Sequence, residues 1–290
     1  MIKSVTVETK DGDTLDMVLA EPELSGFAII KIDGLGPEDA ELNTTEITYG
    51  DGSIINSKRV KGKTIQFNII YLWNATIEDS RNTLYNYFPL SKEVRLYFLT
   101  DSKFVYIDGV VQQHKPEIFE EQSGCSIVVE CSDPFFKENT DLKSNLVGVD
   151  SGFIFPFANN SLTENLLTFG EIITTDSKTI VYQGTKETGF TIFGEFDTNA
   201  DYFEIGCNGD LLIFNNLNAL TGDQIVINTR NGQKQAILIR NNQSINIIGK
   251  IDILRSRWLY LKPGLNNLSF ITRSYFKSLS IHTNILYRGI

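Results

Sequence analysis

Cys125-Ser126-Ile127-Val128-Val129-Glu130-Cys131-Ser132-Asp133-Pro134-Phe135-Phe136 divides this sequence into two patterns. The run up to Cys131 is apolar and rich in β-branched residues, which reads as a strand. Ser132-Asp133-Pro134 stops it, because proline has no N–H for a sheet ladder and holds the residue before it extended. Two phenylalanines follow at once, so we read Asp133, Pro134, Phe135 and Phe136 as a packed interdomain hinge and not a loose tether. An α+β pattern with one clear helix precedes the break. Many short strands and no convincing helix follow it. The boundary is therefore placed at 137/138, with domains at 1–137 and 138–290.

Composition agrees with two domains. A chain of 290 residues is long enough for about two hydrophobic cores. No stretch approaches the ~18 to 20 continuous apolar residues of a membrane helix, so no membrane insertion is expected. The start, Met1-Ile2-Lys3-Ser4-Val5-Thr6, lacks the apolar core of a signal peptide, and synthesis and folding in the cytosol are expected. The net charge of −10 is spread along the chain, which disfavours nucleic-acid binding, since that needs a basic stripe. Cys125, Cys131 and Cys207 show no metal-type spacing and read first as small buried hydrophobes.

Before the break, Val5–Thr9 and Leu15–Leu19 flank Asp11-Gly12-Asp13, a hairpin signal. Phe27–Ile32 reads as a strand leading into a loop that runs to about Thr45, with a glycine loop at Tyr49–Ser53. Neither glycine stretch has the Gly-Lys-Ser/Thr or G-x-G-x-x-G context of a phosphate loop. In Lys63–Tyr71, Ile65, Phe67 and Ile69 share one face. Thr76 fits a helix N-cap with Asp79 three residues on, and Ile77, Leu84, Tyr85 and Phe88 fall on one helical face before Pro89. Strands resume at Val94–Leu99, Phe104–Ile107, Val110–Val111 and Cys125–Cys131.

After the break, Phe153–Phe157 reads as an edge strand at most, because Pro156 interrupts it. Short β-like runs then recur at close spacing: 179–182, 190–193, 202–205, 211–214, 224–228, 236–239, 245–248, 258–261, 267–271 and 278–285. Asn208-Gly209 and Asn231-Gly232 sit between runs as hairpin turns. Such spacing is the pattern of a sandwich or jelly roll.

The search for chemistry returns no catalytic, cofactor-binding or metal-binding residue, so no enzyme and no cofactor is expected. His114 falls in a polar segment read as a turn, and His282 falls in the last strand. Glu120-Glu121 reads as a solvated turn. No H-E-x-x-H, G-x-S-x-G or nucleotide loop is present. The sharpest pattern after the break is Trp258-Leu259-Tyr260-Leu261, where alternation puts Trp258 and Tyr260 on one face. Such a pair either fills the core or offers a carbohydrate contact.

Several stretches, taken in order, resemble the distal tail proteins (Dit) of long-tailed bacteriophages of Gram-positive hosts and of phage-tail-like particles. They are Asn43-Thr44-Thr45 with Tyr49–Ser53, Ile77–Arg81 through Leu84–Pro89, Tyr106-Ile107-Asp108-Gly109 with Cys131–Phe136, Gly152–Phe157, and Leu261–Asn266. They cover the first 157 residues well and the rest loosely. The resemblance implies an N-terminal α+β ring-forming domain, a sandwich with one helix, and a C-terminal galectin-like β-sandwich. It implies a hexameric ring in the virion tail, assembled in the host cytoplasm. That ring would be a hub joining the tail tube protein to tail-tip or tail-associated proteins and to receptor-binding proteins. The His-Asn-Pro-Arg sugar-contact pattern of galectins is missing, so fold alone implies no lectin activity. A carbohydrate-binding module for wall polysaccharide, resting on Trp258 and Tyr260, is the alternative. A wall hydrolase would need a carboxylate pair in a groove.

Overall fold

Runs with alternating apolar residues become strands wherever one face can be buried. The computed structural model describes residues 1–72, 76–117, 123–147, 149–151, 170–172, 177–270 and 276–290. Phe153–Phe157 and Glu120-Glu121 lie outside them. Contacts divide the chain into two units: Met1–Asn139 with Leu286–Ile290, and Thr140–Ile285.

In the first unit the elements run β1 (Ile2–Thr9), β2 (Thr14–Val18), β3 (Phe27–Asp33), β4 (Ala40–Glu46), β5 (Ser53–Val60), β6 (Lys63–Tyr71) and α1 (Ile77–Tyr87). Then come β7 (Glu93–Thr100), β8 (Phe104–Glu117), β9 (Gly124–Cys131) and β10 (Phe136–Glu138). One sheet runs β2-β1-β7-β8-β9-β6-β3. It curls strongly. Neighbouring strands lie about 4.8 Å apart, so a flat sheet would put β7 and β6, three steps apart, about 14 Å from each other. Yet Phe98 of β7 and Phe67 of β6 stack with ring centroids 6.5 Å apart. The curl closes over α1, whose Leu84 and following Phe88 are buried, and Phe88 meets Phe67 at 6.0 Å. Thr76 caps the helix as its sequence indicates, its side chain accepting from the Asp79 N–H. Ile77 and Tyr85, assigned to the same apolar face, are 41% and 39% exposed, so only half of that face is used.

The opening stretch behaves in an unexpected way. β9 pairs with β8 as far as Glu130 opposite Val110, and Ser132-Asp133-Pro134 leaves the ladder. The chain then returns to the same strand, with Lys137 opposite Tyr106 and Glu138 opposite Val105. Proline interrupts the pairing without ending the sheet. On the other side of β10 lies a strand from the chain's last residues, paired Phe136 to Tyr287 and Lys137 to Leu286.

Two readings are corrected in this unit. The expected loop between Asp33 and Thr45 contains β4, and with β5 it forms a separate two-stranded hairpin. His114 is not in a turn. β8 is continuous to Glu117 and carries a bulge at Gln112, where the register passes from Val111 opposite Val129 to Gln113 opposite Val128. The extra residue reverses side-chain parity, so His114 points to the inner face, like its partner Ile127.

The second unit contains β11 (Leu142–Val147), β12 (Val149–Ser151), β13 (Gly170–Ile172), β14 (Ser177–Tyr182), β15 (Thr191–Phe196), β16 (Ala200–Cys207) and β17 (Asp210–Ala219). It continues with β18 (Gln224–Asn228), β19 (Gln235–Arg240), β20 (Gln243–Asn246), β21 (Gly264–Phe270) and β22 (Phe276–Thr283), while β23 (Leu286–Tyr287) belongs to the first unit. A six-stranded sheet, β11-β22-β15-β18-β19-β20, and a four-stranded sheet, β14-β21-β16-β17, form a sandwich. Phe203 of β16 meets Phe276 of β22 edge to face at 5.0 Å, joining the two sheets through the core. The hairpins at Asn208-Gly209 and Asn231-Gly232 form as read. Residues 258–261 do not form a strand. Only Leu261 bridges, to Thr188.

Candidate assembly surfaces

The β4–β5 hairpin is the most unusual surface of the first unit, because every residue of β5 is exposed. Its register places Ala40 opposite Val60, Leu42 opposite Lys58 and, after a bulge at Asn56, Thr44 opposite Ile55. Ala40, Leu42, Thr44, Ile55, Lys58 and Val60 thus share one face, largely apolar, and Glu41, Asn43, Thr45, Ile54, Ser57 and Arg59 the other, where Arg59 Nε pairs with Glu41 at 2.7 Å. Leu42, Ile55 and Val60 are 51%, 57% and 47% exposed. A two-stranded ribbon with an uncovered apolar face is marginal in water on its own.

The root of this arm is held firmly. Lys63 is fully buried, and its ammonium donates to the Gly36 carbonyl and to Glu38 Oε1 at 3.1 Å. It also lies 5.3 Å from the Phe136 ring centroid. The Ile290 N–H donates to the Leu35 carbonyl at 3.1 Å, so the last residue fastens the same loop.

An open groove of about 630 Å³ lies on the polar face of the large sheet, lined by Glu8, Arg95, Asp108, Val110 and Glu130 among others. Cross-strand register sets Glu8 opposite Arg95 and Arg95 opposite Asp108. Arg95 Nε donates to Asp108 at 2.6 Å, Tyr97 donates to Glu8 at 2.7 Å, and Thr64 donates to Glu130 at 2.7 Å. Arg95 also covers the Tyr106 ring at 4.5 Å. Asp108 is thus ion-paired, and Glu8 and Glu130 each accept from a hydroxyl of a neighbouring strand, so the groove is an ordered polar surface.

Other reactive groups are quiet. Burial pushes the Cys125 thiol up to about 11 and those of Cys131 and Cys207 to about 12, which leaves them protonated at neutral pH. Burial also lowers the pKa of His114, whose ring meets Tyr85 edge-on at 4.7 Å. Among the described residues no group of three or more His, Cys, Asp or Glu side chains is placed to hold a metal ion.

The residues singled out in the sequence are placed as follows. Asp133, Pro134, Phe135 and Phe136 all lie in the first unit. Asp133 accepts from the Phe135 N–H at 3.3 Å and pairs with Lys137 at 3.2 Å. Phe136 is fully buried against Phe98, with centroids 5.7 Å apart. In the second unit Leu259 and Leu261 are buried, whereas Trp258 and Tyr260 are half-buried on the outer side. Lys234 stands 5.5 Å from the Trp258 ring and 5.9 Å from that of Tyr260. Tyr260 Oη donates to Asn231 Oδ1 at 2.6 Å. Sequence reading missed the arm and the groove; the first has no alternating signal, and the second exists only through strand register.

Residues 183–288 match the family model described as siphovirus-type tail component, C-terminal domain. No curated protein matches the chain. Among solved structures, the crystal structure of the SPP1 Dit protein, described as a paradigm of hub adsorption apparatus in Gram-positive infecting phages, superposes with a TM-score of 0.64 at 14% identity. The match covers 97% of this chain and 98% of that one. A chain in the phage P2 baseplate in its activated conformation aligns over 98% of both chains at 15% identity, with a TM-score of 0.48. The chain thus has the Dit fold along its length, and its second unit resembles siphovirus tail components in sequence as well.

Proposed function

We propose that this chain is a structural distal tail protein. In this reading it forms a ring hub, hexameric by resemblance, that joins a phage tail tube to the tail tip or baseplate and to receptor-binding proteins. Its place is the virion tail, after assembly in the host cytoplasm, and it is not an enzyme. The observation that carries the reading is the tail-component match over residues 183–288 on a chain with the Dit fold. The arm supports it further. A closed ring needs a surface on one copy that fits a different surface on the next. An apolar ribbon face with a rigid root supplies one side of such a contact, and we assign its cover to a second copy of the chain. In this reading the unit of Met1–Asn139 with Leu286–Ile290 makes the ring and Thr140–Ile285 the outward part, with Asp133–Phe136, inside the first unit, just ahead of the crossing into the second. Negative-stain imaging and mass measurement of the purified protein test the proposal. Rings of uniform size are expected; a strict monomer at high concentration would overturn it.

A second reading is favoured by one observation: Trp258 and Tyr260 are half-exposed on one side and not core residues. They could stack a sugar of the host wall. Wall-polysaccharide binding that disappears in Trp258→Ala, with folding retained, would support it, and absence of binding by the unmodified protein would remove it.

A further inference from the structure

Asn-Gly occurs twice, at Asn208-Gly209 and Asn231-Gly232, each in a hairpin turn of the second unit. Glycine has no side chain to shield its N–H, so at both places its nitrogen can close on the preceding side-chain amide. The sequence gives the two sites the same chemistry. The structure separates them.

Asn208 is held on every side. Its φ of 53° is left-handed, its Oδ1 accepts from the Asn267 N–H at 3.0 Å, and its Nδ2 donates to Asn266 Oδ1 at 2.7 Å. Its backbone N–H donates to the Asn267 carbonyl at 2.9 Å. Moving the amide breaks two side-chain bonds, one of them to a fully buried residue. Asn231 is exposed and has one side-chain bond, in which Oδ1 accepts from the Tyr260 hydroxyl at 2.6 Å. Among the described residues neither its Nδ2 nor the Gly232 N–H makes a hydrogen bond.

We propose that Asn231 is a site of spontaneous deamidation assisted by Tyr260, and that Asn208 is protected. The Gly232 nitrogen attacks Asn231 Cγ, forming the N–Cγ bond. Negative charge develops on Oδ1, where the Tyr260 O–H already donates and Lys234 stands near the same ring. The Cγ–Nδ2 bond then breaks, and ammonia leaves with the proton lost from the glycine nitrogen. Water opens the resulting five-membered imide. Cleavage at Cγ gives aspartate, and cleavage at the main-chain carbonyl gives isoaspartate, which routes the backbone through the side-chain carbon. Either product sets a carboxylate beside Tyr260 and Lys234, drawing the lysine from the Trp258 and Tyr260 rings and marking aged protein at this surface.

The test is ageing of the full chain at mildly alkaline pH, followed by proteolysis and mass mapping. In folded protein the Asn231 peptide should gain acid and iso-acid forms while the Asn208 peptide stays intact. In denaturant the two should convert at similar rates. Tyr260→Phe should slow conversion of Asn231 several-fold, and Gly232→Ala should slow it further. Equal conversion of Asn208 in the folded chain, or an Asn231 that converts only when unfolded, overturns the proposal. Unchanged or faster conversion in Tyr260→Phe overturns the role given to the hydroxyl.

Discussion

Asn266 Oδ1 accepts from Asn208 Nδ2 at 2.7 Å and from the Lys262 N–H at 2.8 Å, within a residue that has no exposed surface. Its Nδ2 donates to the Lys262 carbonyl at 2.7 Å and the Gly264 carbonyl at 2.9 Å. One amide thus uses all its donors and acceptors to tie the Lys262–Gly264 turn to the β16–β17 hairpin. Each buried partner left unpaired costs about 1–3 kcal/mol, so Asn266→Ala should destabilise the second unit by about 3 kcal/mol. Asn266→Asp should do at least as much near neutral pH, because a carboxylate would face two carbonyl oxygens, and should recover partly in acid. Urea unfolding followed by Trp258 fluorescence, in a Trp73→Phe background, checks both variants.

His114 makes the first unit acid-sensitive. Burial lowers its pKa from the ordinary 6.5, so the folded state keeps the imidazole neutral and the unfolded chain binds the extra proton. Stability therefore falls as pH drops through 6.5 and levels off below the folded-state value. His114→Phe keeps an aromatic edge for Tyr85 and removes the proton. Urea midpoints across this range, read by Trp73 in a Trp258→Phe background, should slope for the parent and flatten for the variant. An unchanged slope would assign the effect to other groups.

His114 also shows where the sequence stops being legible. Val105, Ile107 and Val111 alternate into the core, and strict alternation would turn His114 outward. The bulge at Gln112 reverses that, and no residue type announces it. The helix and the strands at Lys63–Tyr71 and Cys125–Cys131 were readable because each has a buried face that writes a period into the sequence. The arm was not, since neither strand faces the core and its pattern reflects only what covers it. Pairing of Phe136 with Tyr287 joins residues too distant in sequence for any local signal. At the candidate surfaces, alternation placed Trp258 and Tyr260 on one side, but the ladder that alternation usually implies is absent there.

Lys63 and Gly34 set the arm's root from two directions. Lys63 is buried with Glu38 as its carboxylate, and removing one partner of such a pair costs about 3–5 kcal/mol. Glu38 keeps some solvent contact, so Lys63→Ala should fall at the lower end, and Lys63→Met should recover part by filling the space beside Phe136. Gly34 has φ of +86°, and a Cβ there would stand 2.0 Å from the Thr64 carbonyl oxygen. Gly34→Ala must therefore shift the strand it follows. Thermal melts of the three variants should rank Lys63→Met above Lys63→Ala, with Gly34→Ala well below the parent.

The apolar face of the arm separates folding from assembly. Leu42 and Ile55 are more than half exposed in the isolated chain, so the double change Leu42→Thr, Ile55→Thr removes little intramolecular contact. Threonine has the β-branched geometry suited to a strand. Stability should stay within about 0.5 kcal/mol of the parent, as for other exposed positions. If a second copy covers this face, each substitution loses burial in the assembly, and the mass distribution should move from ring to monomer at equal concentration. Arg59→Ala, on the opposite face, serves as the control: its pair with Glu41 at 2.7 Å is exposed and screened by solvent, and rings should persist. Rings that survive the double change would place the contact elsewhere, and the groove between Glu8 and Glu130 would be the next surface to alter.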